Sequence, residues 1–173
     1  MLATEPIGSI PRPPELIEGM QAAAAGTIGQ DRLTELFDEA LADTISRFEG
    51  TGSPVITDGE QTKSSFVTYP LDGLGNLGPD GAVIPFADGH TRQLPVLVAG
   101  PFRYGQYADT FLTGAQRFAT KPVKQAIIAV SALSLLYPAD GIDEYPKERF
   151  IEDLIAEGVS DIRRCLDAGA YKV

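Results

Sequence analysis

Short apolar runs of strand length alternate with amphipathic segments of helical periodicity, and this alternation restricts the fold more than any other feature of the sequence. Two such runs, residues 54–60 and 122–130, predict buried strands. Residues 30–48 predict a helix, because their apolar side chains recur at spacings of three and four. The alternation indicates an α/β fold with parallel strands, in which functional groups gather at the carboxyl ends of the strands.

Further elements follow from the same reasoning. Residues 13–25, 109–118 and 146–168 predict helices, and residues 82–98 predict a β-hairpin whose turn is Asp88-Gly89. The last of these helices is amphipathic and is marked by the apolar residues Phe150, Leu154, Ile155, Val159, Ile162 and Leu166. Residues 61–95 contain no long periodic run and are too long for an ordinary connector. They therefore indicate an active-site lid or a binding excursion. Residues 170–173 begin another apolar run, so we expect the chain to be interrupted there.

Length and charge narrow the possible functions. The 173 residues fit a single domain, and the net charge of −10 argues against nucleic acid and anionic membrane surfaces as partners. No apolar stretch is long enough to span a membrane, and residues 1–14 do not resemble a signal peptide. The single cysteine, Cys165, excludes an internal disulfide and is expected to be a buried structural thiol. We therefore expect a cytoplasmic protein.

Two short segments that follow extended runs are candidate functional sites. Asp58 and Glu60 follow a buried strand, where two carboxylates can bind an ammonium group, hold a metal or act as acid and base. The alternative is that Asp58 makes a turn and Glu60 is a solvated loop acid. Ile7-Gly8-Ser9 follows a short extended run and can present backbone N–H groups to a carboxylate, or it can be a simple tight turn.

The predicted hairpin carries further polar residues. His90 is the only histidine and has no cysteine near it in sequence, which argues against a zinc site there. Arg92 and Arg103 could anchor a ligand carboxylate or form surface ion pairs.

An ordered set of motifs across nearly the whole chain resembles the catalytic barrel of cobalamin-independent methionine synthase. The opening segment is similar to the family's first strand with its Ile-Gly-Ser motif, and the second predicted strand ends, like the family's, in Gly-Glu. The five matching segments are Ile7-Gly-Ser-Ile-Pro-Arg-Pro13, Val55-Ile-Thr-Asp-Gly-Glu60, Gln93-Leu-Pro-Val-Leu-Val-Ala-Gly100, Lys121-Pro-Val-Lys124 and Leu166-Asp-Ala-Gly-Ala170.

The resemblance implies a partial (β/α)8 TIM barrel and a methyltransferase of methionine biosynthesis. Such an enzyme moves a methyl group from a methyltetrahydrofolate-type donor to a thiol such as homocysteine, which a zinc ion binds. Carried over by motif, Ile7, Gly8 and Ser9 would hold the amino acid's carboxylate and Glu60 would meet its ammonium group, and Asp58 is a further substrate-binding candidate. His90 and Thr91 fall at the family's folate contacts, although its Arg-Cys pair is not preserved there.

Parts of the family pattern are absent from this sequence. The family's zinc ligands lie in the second half of the barrel, so we expect none here and expect this chain alone to be inactive. The family's Gly-Pro-Val-Thr appears as Ala129-Val-Ser-Ala132, which leaves the donor and acceptor open. Two alternatives remain: a non-catalytic half barrel that needs a homodimer or a second-half partner chain, and a hydrolase or lyase that uses Asp58 and Glu60.

Overall fold

The computed structural model describes residues 4–173, which form two compact units built from separate stretches of sequence. The first unit contains the residues up to Lys63 together with Ala108–Ala126 and Arg164–Val173. The second unit contains Ser64–Tyr107 and Ile127–Arg163. Their buried apolar residues also form separate clusters, so each unit has a core of its own. That the whole chain is one domain stays a prediction.

Three helices give the first unit its frame: α1 (Pro14–Ala24), α2 (Gln30–Gly50) and α3 (Asp109–Gln116). Each lies within two residues of its predicted start and end. Helix α1 begins with Pro14, whose fixed φ suits the first helical position. The periodic face of α2 packs into the core of the unit, which contains Leu41, Ile45, Ile56, Leu112, Ala115 and Val123.

The predicted strands 54–60 and 122–130 are not regular strands; one parallel bridge joins them within the described residues, and Val130 already begins a helix. The parallel bridge pairs Ile56 with Val123; Ile56 N donates to Pro122 O at 3.0 Å, and Lys124 N donates to Ile56 O at 2.9 Å. Tyr171 N in turn donates to Val123 O at 2.8 Å. Parallel pairing is therefore shown at this bridge alone, and neither segment forms a regular strand. The reason is local: proline has no N–H to donate, and the chain leaves the extended conformation after Asp58.

The regular strands of the described chain lie in the second unit and are antiparallel. They are β1 (Leu77–Gly78), β2 (Val83–Pro85), β3 (Thr91–Gln93) and β4 (Val96–Leu97). Strand β2 pairs with β3, which confirms a hairpin, but one shorter than predicted because β4 pairs with β1 instead. The remaining elements are the 3₁₀ helices Tyr69–Leu71 and Ser134–Leu136, helix α4 (Val130–Leu133) and most of helix α5 (Lys147–Asp167).

Helix α5 buries acids and exposes aliphatic side chains. Phe150 and Leu154 are buried as expected, whereas Ile155, Val159, Ile162 and Leu166 are 38–51% exposed. The buried face instead carries three carboxylates, each with a tyrosine hydroxyl as donor: Tyr145 to Asp153 at 2.7 Å, Tyr69 to Asp161 at 2.5 Å, and Tyr107 to Glu157. Apolar periodicity could not reveal this face, because hydrogen-bonded acids can replace apolar residues in a core. Among the helices of residues 4–173, none is long and apolar enough to cross a membrane.

Candidate functional site

Glu60 is held in a backbone conformation that residues other than glycine rarely adopt. Its φ is +56°, directly after Gly59 at +62°, and its side chain lies among buried groups. The Asp58 side chain stabilises this turn, since its Oδ1 accepts the N–H of Glu60 at 3.0 Å. A left-handed, non-glycine residue of this kind costs about 1–3 kcal/mol and is concentrated at functional sites. Asp58 therefore makes a turn, as one alternative held, but Glu60 is not a solvated loop acid.

The guanidinium group of Arg12 fixes the same turn from the segment before α1. Its Nε donates to Gln61 O at 3.0 Å, and its Nη2 donates to Glu60 O at 3.2 Å and to Lys63 O. One side chain thus binds three backbone carbonyl oxygens of the loop that carries Glu60. The rigid fork of arginine donors suits this task better than the single ammonium group of lysine.

One oxygen of the Glu60 carboxylate lies beside a lysine ammonium group, and the other accepts no hydrogen bond from the described residues. Its Oε1 lies 3.7 Å from Nζ of Lys63, whose side chain is only 1% exposed. Its Oε2 is buried and accepts no hydrogen bond from residues 4–173. Burial raises the pKa of Glu60, while the positive charges of Lys63 and Arg12 act to lower it and the negative charge of Asp58 acts to raise it. A buried carboxylate oxygen without a donor is costly, so a cationic donor would stabilise it.

Gln125 brings a second buried acceptor to the same region. Its Nε2 donates to Asp58 Oδ2 at 3.4 Å, and its Oε1 accepts no hydrogen bond from the described residues. The Oε1 of Gln61 is also buried and accepts no hydrogen bond from the described residues. Asp58 therefore connects Glu60 to Gln125 through its two oxygens. A protonated amine, which has three N–H donors and no acceptor, is the chemical group that such acceptors can bind.

The predicted Ile7-Gly8-Ser9 segment lies beside Glu60. Gly8 is buried, and a Cβ placed on it would approach Glu60 Oε1 to 2.9 Å, so the segment passes closer than a larger residue allows. Thr57 Oγ1 donates to Gly8 O at 3.5 Å, and the N–H groups of Gly8 and Ser9 make no hydrogen bond to other described residues. Ile7 is 91% exposed and lines a cleft of about 280 Å³ together with Lys124, Gln125, Ala126, Lys172 and Val173.

The structure places the other predicted site residues in the second unit. His90 belongs to the hairpin, where its ring stacks on Phe86 at 4.3 Å and its Nδ1 lies 2.5 Å from Asp88 Oδ1. Thr91 is exposed on β3. These contacts give His90 a local structural partner, and its ligand role stays a prediction. Arg103 forms an ion pair with Asp153 at 2.9 Å. Cys165, which belongs to the first unit, is buried as expected.

Sequence reasoning found Asp58 and Glu60 but missed Arg12, Lys63 and Gln125. None of these three belongs to a spacing pattern that indicates a site. The signal that was available for Lys63 is its place three residues after Glu60. Within residues 4–173, no three His, Cys, Asp or Glu side chains are grouped so that they could hold a metal ion, so these residues do not fit a zinc site.

The known relatives of this chain match it over only part of their own length. A methionine synthase from Sulfurisphaera tokodaii is 27% identical over 172 residues, which are 98% of this chain and 50% of the relative. One from Sulfolobus acidocaldarius is 31% identical over 104 residues, which are 60% of this chain and 30% of the relative. No protein-family model matches.

Solved structures give the same result for the fold. A B12-independent methionine synthase from Shewanella sp. W3-18-1, solved in complex with selenomethionine, matches with a TM-score of 0.71 at 18% identity, over 98% of this chain and 49% of that chain. The chain thus spans about half the length of the relatives it matches. The resemblance to cobalamin-independent methionine synthase is confirmed.

Proposed function

We propose that this chain supplies the amino-acid-binding part of a methyltransferase. Nearly all of the chain is similar to about half of the length of a methionine synthase. Its extended segments would be the first strands of a (β/α)8 barrel, with Glu60 and Gly8 at the open end. The observation that carries the proposal is the unpartnered Oε2 of Glu60, buried in a strained turn beside Gly8. An α-amino acid has the ammonium group that this oxygen lacks.

Each group of the substrate has a partner in this arrangement. The ammonium would bind Glu60, and Gln125 Oε1 offers a further buried acceptor. The carboxylate would bind the backbone N–H groups and the hydroxyl at Ile7, Gly8 and Ser9, as backbone N–H groups bind anions elsewhere. Both oxygens of Asp58 already accept hydrogen bonds, so it positions Glu60 and Gln125 and is less suited to acid–base catalysis.

The methyl-transfer step needs groups that these residues do not provide. We propose that the acceptor is a thiol amino acid such as homocysteine and the donor a methyltetrahydrofolate-type compound. Zinc would activate the thiol from a site outside residues 4–173, in the remainder of a longer protein or in a partner chain. The residues of this chain would hold and orient the amino acid, which lowers the entropic cost of the reaction.

A ligand series tests this function directly. We expect L-selenomethionine to bind the chain, and we expect its analogue without the amino group to bind about 30- to 100-fold more weakly, since a charged hydrogen bond is lost. Isothermal titration calorimetry measures both affinities, and the methyl ester reports on the carboxylate contact. Equal affinity for the amino and deaminated compounds would rule out an ammonium site at Glu60.

Substitution of Gly8 by alanine tests the close approach at this site. The added Cβ would displace the Glu60 carboxylate, and we expect selenomethionine binding to weaken by roughly tenfold, or about 1.4 kcal/mol. Gly29→Ala is the matched control, because no atom lies within 4 Å of its added Cβ. The same calorimetric titration distinguishes the two variants, and equal affinities would mean that Gly8 does not shape the site.

A further inference from the structure

Lys63 is a fully buried lysine next to the carboxylate that the proposed function assigns to the substrate. Its Nζ donates to Ala126 O at 2.6 Å and lies 3.7 Å from Glu60 Oε1. The ring of Phe111, on α3, has its centroid 5.7 Å from Nζ. Lysine is almost never buried to this extent without a charged partner. The position of the ammonium therefore needs a reason beyond packing.

We propose that Lys63 is a positioning residue that keeps Glu60 ionised and leaves its second oxygen for the ammonium of the ligand. The inference rests on the proposed function. A carboxylate has two oxygens: Lys63 lies beside Oε1, and Oε2 has no partner among residues 4–173. An internal and an external ammonium group can thus share one carboxylate without competing for the same oxygen.

The charges around Glu60 support this division. Burial and the neighbouring carboxylate of Asp58 both favour the protonated form of Glu60, which could not bind an ammonium group as an ion pair. Two cations oppose this effect: Lys63, from the same loop, and Arg12, from the segment before α1. Arg12 is already bound to three carbonyl oxygens, and Phe111 and Gln125 are neutral. Lys63 is therefore the cation placed to act on the carboxylate itself.

The pH dependence follows from the sign of this effect. The pKa of Glu60 is raised, so ligand affinity is present above that pKa and is lost as the pH falls through it. Removing the charge of Lys63 raises the pKa of Glu60 further, so the loss begins at a higher pH. At the acidic end of a range from about pH 5 to pH 8, we expect uncharged variants to bind on the order of tenfold more weakly than the wild type.

Three substitutions of Lys63 distinguish the effect of its charge from the effect of its structural contacts. Lys63→Gln keeps a donor for Ala126 O without charge, Lys63→Met removes both, and Lys63→Arg keeps the charge. Carbon-13 NMR of labelled glutamate, with Glu60→Gln for assignment, measures the pKa of Glu60 in each folded variant without any ligand. Calorimetry with L-selenomethionine across the same pH range measures the consequence. We expect both uncharged variants to raise the pKa of Glu60 and Lys63→Arg to restore it.

The NMR titration and the calorimetric titration can each contradict the inference independently of the other. An unchanged pKa of Glu60 in Lys63→Gln would overturn the inference, whether or not the ligand binds. The same holds if Lys63→Gln binds selenomethionine with the wild-type pH profile, because Lys63 would then serve structure alone. If the pKa rises as expected but the wild type does not bind selenomethionine, the proposed function fails and the role of Lys63 toward a ligand fails with it.

Discussion

Replacing Glu60 by glutamine is expected to weaken L-selenomethionine binding by about 100-fold, or roughly 2–3 kcal/mol. The substitution keeps the size of the side chain but removes the charge that would bind the ammonium group. Calorimetric titration near neutral pH measures the change. Glu18→Gln, an exposed acid on α1, is the matched control and should bind as the wild type does.

The deaminated analogue provides the internal check on this result. It cannot form the ion pair, so the wild type and Glu60→Gln should bind it with similar affinity. A loss of affinity for both compounds would show that the substitution damages the fold around the site. An unchanged affinity for selenomethionine would remove Glu60 from the binding site.

The second large effect is on stability. Phe150→Ala is expected to lower the free energy of unfolding of the second unit by about 3–5 kcal/mol, because a large side chain is deleted from a closed core. Phe150 is fully buried, and its ring packs at 5.4 Å from Phe102 and 5.3 Å from Tyr137, between ring centroids. Urea unfolding followed by circular dichroism measures the difference.

Ile155→Ala, on the same helix, is the control for that experiment. Its side chain is 51% exposed, and the substitution should change the free energy of unfolding by less than about 1 kcal/mol. The pair tests which face of α5 is the core. Equal destabilisation by the two substitutions would contradict the burial seen in the structure. It would instead indicate that the exposed aliphatic side chains of α5, such as Ile155, are packed in a core.

Helix α2 was predictable because the apolar residues that recur along it are largely the ones that it buries. The predicted strands 54–60 and 122–130 are only partly confirmed, because one bridge joins them and Val130 begins a helix. Their pairing is limited by Pro54, Pro122 and the turn at Gly59, which a search for apolar runs does not weigh. The hairpin was found from its turn residues. The buried acids of α5 were not, because each depends on a tyrosine outside the helix, and two of these tyrosines, Tyr69 and Tyr107, are distant in sequence.

The candidate site shows the same limit. Glu60 was predicted because it follows a strand, whereas Arg12 and Lys63 act through backbone carbonyl oxygens and a charge pair. Contacts of that kind leave no pattern in the sequence. Gln125 was missed because a single amide in an apolar run resembles an ordinary strand residue.

The left-handed backbone of Glu60 sets local backbone preference against the carboxylate that the proposed function uses. Glycine would adopt a φ of +56° without the steric cost that a side chain brings. Backbone preference alone would therefore remove the carboxylate at this position, but its removal would leave the buried ammonium group of Lys63 without the carboxylate that lies beside it. Stabilising substitutions chosen by backbone preference alone would favour glycine here, and such a chain would lack both the buried ion pair with Lys63 and the carboxylate that we propose for ligand binding.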